Sequence, residues 1–541
     1  MKLKNVFTTL GFSFLTFIIN AQYIGDVIIP SPSNRKEKSM DHPMMRYSSE
    51  IKTDELKAHL TKIASAEFAG REPGTAGMEM AEAYITDLLK KHNVNFAPGL
   101  KSYYQPVEFT FSSWEDPKIL AAGKEFKNLW DFVAFPNKTN ELIESKITSV
   151  HLLGYGIDHT EYSDYPKKKD KLKGATAIIL EGEPKDKDGN SILDKNSFET
   201  EWTDNMDVKI AVAKKYGVEN LLVVTKDIEE MVTKNRRVLL GPASEMKNTI
   251  GKKYDTPNVI YISQAIASAI LGTTDEQLIN LLNEKKGDKI NANQVTLHLK
   301  KKQNLIKGNN IAAYFKGSKK PDEVVILTAH HDHVGQKGQD IFYGADDNGT
   351  GTVALMEIAE SLALAEKAGK SPERSILVLW VTAEEKGLLG SKYYVENPLI
   401  PIEKTVADIN IDMIGRNDKK YTTAGNSNYV YVIGADRISK DLHEVNVTLN
   451  EQYSGLTLDY TYNSDSDPNR FYFRADHYSF ASKGIPAVFF FTGVHDDYHK
   501  TTDTVDKIDF EKYTKITQHI FNVLWNVAER SERLRITEQV K

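Results

Sequence analysis

At 541 residues the chain is longer than one compact domain usually is, so two domains behind a processed leader are expected. Its 27% of charged residues give a formal charge of −6 spread along the sequence, which leaves neither a basic face for nucleic acid nor a polybasic membrane anchor. There is no cysteine, so a transition-metal site has to be built from histidines and carboxylates.

The apolar run 6–20 follows Lys2 and Lys4 and ends at Ala21. It is broken by Thr8, Thr9, Gly11 and Ser13 and is shorter than the roughly 20 residues of a membrane span. It predicts a signal peptide over 1–21, hence a secreted or periplasmic protein with no stable membrane insertion once the leader is removed. Residues 22–50 are polar and proline-bearing, an extended lead-in. Thr53 is placed to cap a helix with Leu56, Leu60 and Ile63 on one face, and a helix over 78–92 turns Ala81, Ile85, Leu88 and Leu89 inward after the glycine-rich break at 70–77.

From 130 to 298 the texture changes to short strand-like runs (149–153, 175–180, 221–224) between charged loops, with one helix at 208–216. This predicts a small β-rich domain inserted into a larger one made of 51–129 and 299–532, with 299–308 as the return connection and 533–541 as a tail. From 309 onward strands at 324–329, 376–382, 406–413 and 487–492 alternate with helices at 351–364, 388–396 and 510–528. That order, with nearly continuous apolar strands, predicts an α/β domain whose mostly parallel mixed sheet is sandwiched by helices.

Those four strands each run into metal-capable residues: His330-His331-Asp332-His333, Glu384-Glu385, Asp412, and the loop bearing His495, Asp496, Asp497 and His499. Ligands of open α/β sheets gather beyond the carboxyl ends of strands, so residues far apart in sequence can converge there. The string 344–351 adds Asp346 and Asp347 in a turn before a helix. Singly, each has an ordinary explanation: the aspartates can cap the helix behind them, and the glutamates can be an acidic first turn. Together, histidines and carboxylates without thiolates suit zinc.

The strings TAHHDHVG (328–335), GADDNGTGTVALME (344–357), TAEEKGLLGS (382–391), NIDMIGR (410–416), ADHYSFASKGIPAVFFFTG (475–493) and DYHKTTDTVD (497–506) resemble the co-catalytic two-zinc aminopeptidases, a group related to glutamate carboxypeptidases and glutaminyl cyclases. GREPGTAG (70–77) resembles the N-terminal loop of that group, and 130–298 its protease-associated insert. The resemblance implies a zinc-aminopeptidase-like fold and an exopeptidase acting on peptide substrates with two zinc ions. His330 and Asp412 would hold one ion, Glu385 and His499 the other, and Asp347 both. It further implies Glu384 as general base, Asp332 as the carboxylate orienting His330, and Tyr498 as a hydrogen-bond donor to the developing oxyanion. His331, His333 and His495 are expected not to be ligands. Asp476 and His477 are candidates equally for lining the cleft and for stabilising their loop, and Arg470 and Arg474 either for pairing with a substrate carboxylate or as solvated surface charges without a function. A carboxypeptidase or dipeptidase of the same fold, or a receptor-like binding protein that kept the fold, are the alternatives. The sequence leaves side-chain preference and oligomeric state open.

Overall fold

The computed structural model describes residues 22–24, 27–29 and 41–537, apart from 168, 195–196, 237–238, 240–242 and 247–249. The leader expected over 1–21 lies outside the described residues. Among those described, no helix is long and apolar enough to cross a membrane. The chain divides into two compact units, Met1–Val107 with Lys307–Lys541, and Glu108–Ile306. The second is wider at both ends than the 130–298 block marked by texture. Both boundaries fall within long strands, Tyr104–Ala121 and Lys289–Phe315, so residues 299–308 are strand and not a loose connection.

In the first unit, helices α1 (Thr53–Ile63) and α2 (Ala76–Lys91) precede the central strands β1 (Lys320–His330), β2 (Arg374–Val381), β3 (Thr405–Ile411), β4 (Tyr429–Ile433) and β5 (Ala487–Phe491), with α3 (Gly351–Lys367) between β1 and β2 and α4 (Phe510–Glu529) at the end. β1 lies between β2 and β3, and β5 lies beyond β3. All four run parallel, while residues 311–315 and β4 border them antiparallel on either side. Every residue of β2, β3 and β5 is buried, which is why these strands read as unbroken apolar runs and not as alternation.

The helices bury the faces their periodicity marks. Leu56, Leu60 and Ile63 of α1 and Tyr513, Ile516, Ile520, Phe521, Leu524 and Val527 of α4 are all fully buried, each large side chain contributing about 1.5–3 kcal/mol. Thr53 is not a cap: it is the first helical residue behind Lys52, and its hydroxyl pairs with Thr514 at 2.9 Å. α2 is capped by Thr75, whose hydroxyl accepts from the Met78 amide. β4 and the helix Lys440–Leu449 were not marked in the sequence.

The second unit has its own apolar core and a mixed sheet. Thr176–Leu180, Asn220–Val224 and Asn258–Ile262 pair in parallel, with Phe132–Ala134 antiparallel to the last, while Met206–Lys215, Gln264–Leu271 and Asp275–Glu284 are helical.

Candidate metal centre

Because β1, β2, β3 and β5 are parallel neighbours, their C-terminal ends share one edge. His330 is the last residue of β1 and Asp412 the first after β3. Glu384 and Glu385 form a tight turn after β2, and His499 lies in the loop after β5. Asp347 comes from the turn 345–350 that precedes α3. Two groups of ligand atoms result, each within 4.8 Å of one another: His330, Asp347 and Asp412, and His333, Asp347, Glu385 and His499.

Asp347 belongs to both groups. Its Oδ1 is 3.6 Å from His330 Nε2, which is 3.4 Å from Asp412 Oδ1, while its Oδ2 is 2.9 Å from His499 Nε2, itself 2.9 Å from Glu385 Oε1. Ligands around a tetrahedral zinc at about 2.1 Å stand about 3.4 Å apart, the separation seen around His330. His330 Nε2, Asp412 Oδ1, Asp347 Oδ2 and His499 Nε2 are all buried with no hydrogen-bond partner among the described residues. Buried polar atoms are almost always satisfied, so four orphans converging on one carboxylate fit a cation. The donor set, imidazole and carboxylate, suits zinc.

This geometry carries a family resemblance that comparison makes definite. Residues 310–524 match the model described as Peptidase family M28. This segment is a Peptidase family M28 domain. Among curated relatives, leupeptin-inactivating enzyme 1 of Streptomyces exfoliatus is 31% identical over 201 residues, 37% of this chain and 39% of that protein. A probable leucine aminopeptidase of Trichophyton verrucosum (strain HKI 0517) is 27% identical over 216 residues, 39% of this chain and 55% of that protein. The match thus spans about half of these relatives or less. The solved structure titled as an aminopeptidase from Aneurinibacillus sp. strain AM-1 shares the fold, with a TM-score of 0.52 at 18% identity over 92% of this chain and 98% of that one.

Several residues of the M28 domain have different places from those expected. His333 stands inside the second group: its Nδ1 is 3.1 Å from Glu385 Oε1 and 3.7 Å from Asp347 Oδ2. The His333 amide donates to the Arg71 carbonyl at 3.1 Å, which fixes the backbone that carries this ring. Gly344, at φ +57°, leaves room for that ring, because a Cβ there would lie 2.5 Å from His333 Cδ2. His331 points away, its Nδ1 2.8 Å from the Val381 carbonyl, and His495 Nε2 faces Asp346 Oδ2 at 3.3 Å.

Asp332 positions the glutamates more directly than it does His330. Its carboxylate accepts the amides of Glu384 (3.0 Å) and Glu385 (3.3 Å), and it is its backbone carbonyl that takes His330 Nδ1 at 3.1 Å. Asp503 plays the same part for the bridging residue, accepting the amides of Asp346 and Asp347 at 3.1 Å. Arg71 donates to the carbonyls of His331, Ile63, Tyr343 and Gly344 at 2.8–3.1 Å and so ties together the loops bearing His330 and Asp347. Neither role is legible in the sequence: Asp503 sits among threonines in 501–504 with no pattern of its own, and Arg71 is one charge in a glycine-rich loop. Ala383, Met413 and His499 hold left-handed backbone at φ +55° to +56°, a cost that clusters at functional sites.

The electrostatics are those of a cation-seeking pocket. Burial alone would lower His330, but Asp412 and Glu384 hold it well above the ordinary histidine range, and Asp347 and Glu385 lift His499 to about 10 against the same burial. Burial raises Glu384 well above the usual carboxylate range and Asp412 to about 6. Burial would raise Glu385 too, yet the hydrogen bond from His333 and the nearby imidazole of His499 hold it well below. Tyr498 stacks on His499 with ring centroids 3.9 Å apart, and burial keeps its phenol protonated.

Asp476 and His477 do not line an open cleft. Both are fully buried, His477 stacking on Phe489 at 5.1 Å. Arg470 and Arg474 are exposed and lie over Phe473 and Phe471 of their own loop, each at 4.9 Å.

Proposed function

We propose that the protein is a secreted or periplasmic zinc-dependent exopeptidase, an aminopeptidase that removes N-terminal residues from peptides with two zinc ions per chain. The observation that carries the reading is the split of the Asp347 carboxylate, one oxygen toward His330 and Asp412 and the other toward His499 and Glu385. His330 and Asp412 would hold one ion and Glu385 and His499 the other, with Asp347 contributing to both groups. His333 supports the second group through Glu385. When bound, such ions would supply Lewis-acid polarisation of the scissile carbonyl and a lowered pKa of the attacking water.

The chain's own residues do the rest. Glu384, its Oε2 3.9 Å from His330 Nε2, takes the proton of the attacking water and returns it to the departing amine. Its backbone is held for this by Asp332, so its carboxylate does not have to be organised during the reaction. Tyr498, protonated and stacked on His499, donates to the developing oxyanion. The unit Glu108–Ile306 is read as the protease-associated insert, and the leucine aminopeptidase relative supports cleavage from the amino end.

The test is hydrolysis of leucine and lysine aminoacyl anilides beside N-blocked and C-terminal acidic dipeptides by zinc-loaded wild type and Glu384→Ala. Turnover of the free-amine substrates should be lost with chelator, and should fall at least 10³-fold in Glu384→Ala while zinc content stays that of the wild type. Turnover confined to blocked peptides moves the assignment to a carboxypeptidase, and zinc bound at both groups around Asp347 with no turnover moves it to a binding protein.

A further inference from the structure

A second set of ligands lies further along α3. Glu357 and Glu360, three residues apart, share a helix face. His59 of α1 points at the first of them, its Nε2 3.6 Å from Glu357 Oε1. His92, the C-cap of α2, meets the second, with Nε2 3.3 Å from Glu360 Oε1. One ligand atom from each of His59, Glu357 and Glu360 falls within 4.8 Å of the others. Other charged groups around the cluster are Glu55 and Lys91.

Two observations separate this cluster from a solvated acidic face. Glu357 is only 2% exposed, and its Oε1, the atom aimed at His59, is buried without a hydrogen-bond partner among the described residues. A carboxylate buried in that state is costly as an anion and takes up either a proton or a cation; burial accordingly raises Glu357 to about 8. His59 Nδ1, in turn, lies 2.8 Å from Tyr84 Oη, which leaves Nε2 as the nitrogen presented to Glu357. An outer oxygen on the far nitrogen, fixing ring orientation, is how metal-binding histidines are held. The 3.6 Å gap is too long for a hydrogen bond and equals the His330–Asp347 separation at the first centre.

We propose that His59, Glu357 and Glu360 bind a further divalent metal ion, zinc by the donor set, with water completing its shell and His92 orienting Glu360. The ion clips α1 and the end of α2 to α3, the helix that starts four residues after Asp347, so its role is structural. The inference does not rest on the peptidase reading.

The experiment is zinc content and thermal melting of the full chain after equilibration with Zn²⁺, for wild type, Asp347→Ala, and the double variant His59→Gln with Glu360→Gln. The double variant should bind one equivalent fewer than wild type, and Asp347→Ala should keep that equivalent while losing zinc at the first centre. Zinc should raise the melting temperature of Asp347→Ala, and adding the double substitution to it should abolish the rise. Glu360→Gln alone, at a half-buried position, should weaken the same equivalent at least tenfold if the double variant does not fold. Equal zinc content in wild type and double variant, or in wild type and a folded Glu360→Gln at limiting zinc, overturns the proposal. Loss of zinc only in Asp347→Ala does the same while leaving the first centre intact.

Discussion

Arg71 offers the sharpest test of how the metal centre is held. Its guanidinium is fully buried and makes four hydrogen bonds, to the carbonyls of His331, Ile63, Tyr343 and Gly344. Burial lowers its pKa to about 10, with Asp347, Asp332, Asp503 and Glu385 opposing, so it stays charged at neutral pH. Arg71→Met removes every donor; the Gly344 carbonyl still accepts the Gly349 amide at 3.1 Å, but those of His331, Ile63 and Tyr343 are left facing an apolar side chain, each orphan costing about 1–3 kcal/mol. At the low end of that range the three orphans sum to about 3 kcal/mol, a large share of the roughly 5–15 kcal/mol that holds a domain together. Arg71→Lys keeps the charge but not the planar fork, so it reaches fewer carbonyls and should lose about half as much. Calorimetry of zinc-loaded chain should show the M28 domain melting about 6–12 °C lower in Arg71→Met, at about 2–4 °C per kcal/mol. Zinc content should fall too, because the loops bearing His330 and Asp347 are loosened. A loss below about 1 kcal/mol with unchanged zinc content would refute the claim that these bonds organise the centre.

Asp332→Asn keeps the shape but turns one acceptor into a donor facing the Glu384 or Glu385 amide; a 10–100-fold drop in zinc affinity or turnover is expected, read by competition with a chelator and by kcat. His519 is buried and neutral, with Nδ1 2.9 Å from Ser454 Oγ and Nε2 3.1 Å from Asn446 Oδ1, and burial lowers its pKa to about 3. The unfolded chain protonates it near 6.5 and the folded chain does not, so this contribution to stability is complete above about pH 6.5 and is lost as pH falls toward 3. Between pH 6.5 and 5 the loss is about 2 kcal/mol. His519→Gln should lower stability at pH 8 but flatten that part of the urea-denaturation pH profile.

Much of the M28 domain was legible because its strands are buried on both faces. Near-continuous apolar runs ending in His, Glu and Asp mark β1, β2 and β3 and their C-terminal edges without any coordinates. β4 was missed although Tyr429–Ile433 is fully buried, since its alternating tyrosines read as neither pattern. Thr53 was misplaced by one position because a threonine before an apolar periodicity serves equally as a cap or as a first turn residue.

The residue content limits the chemistry available at the centre: no thiolate, a fixed stock of imidazoles and carboxylates, and strand ends to carry them. Which of them meet depends on how the strands and loops pack. His331 and His333 are two residues apart and chemically identical, yet one ring is spent on the Val381 carbonyl while the other faces Glu385. Arg71 and Asp503 come from distant segments and act through backbone amides and carbonyls. Spacing along a strand fixes which face a side chain takes, but contact between segments far apart depends on packing and backbone hydrogen bonds that no local pattern encodes.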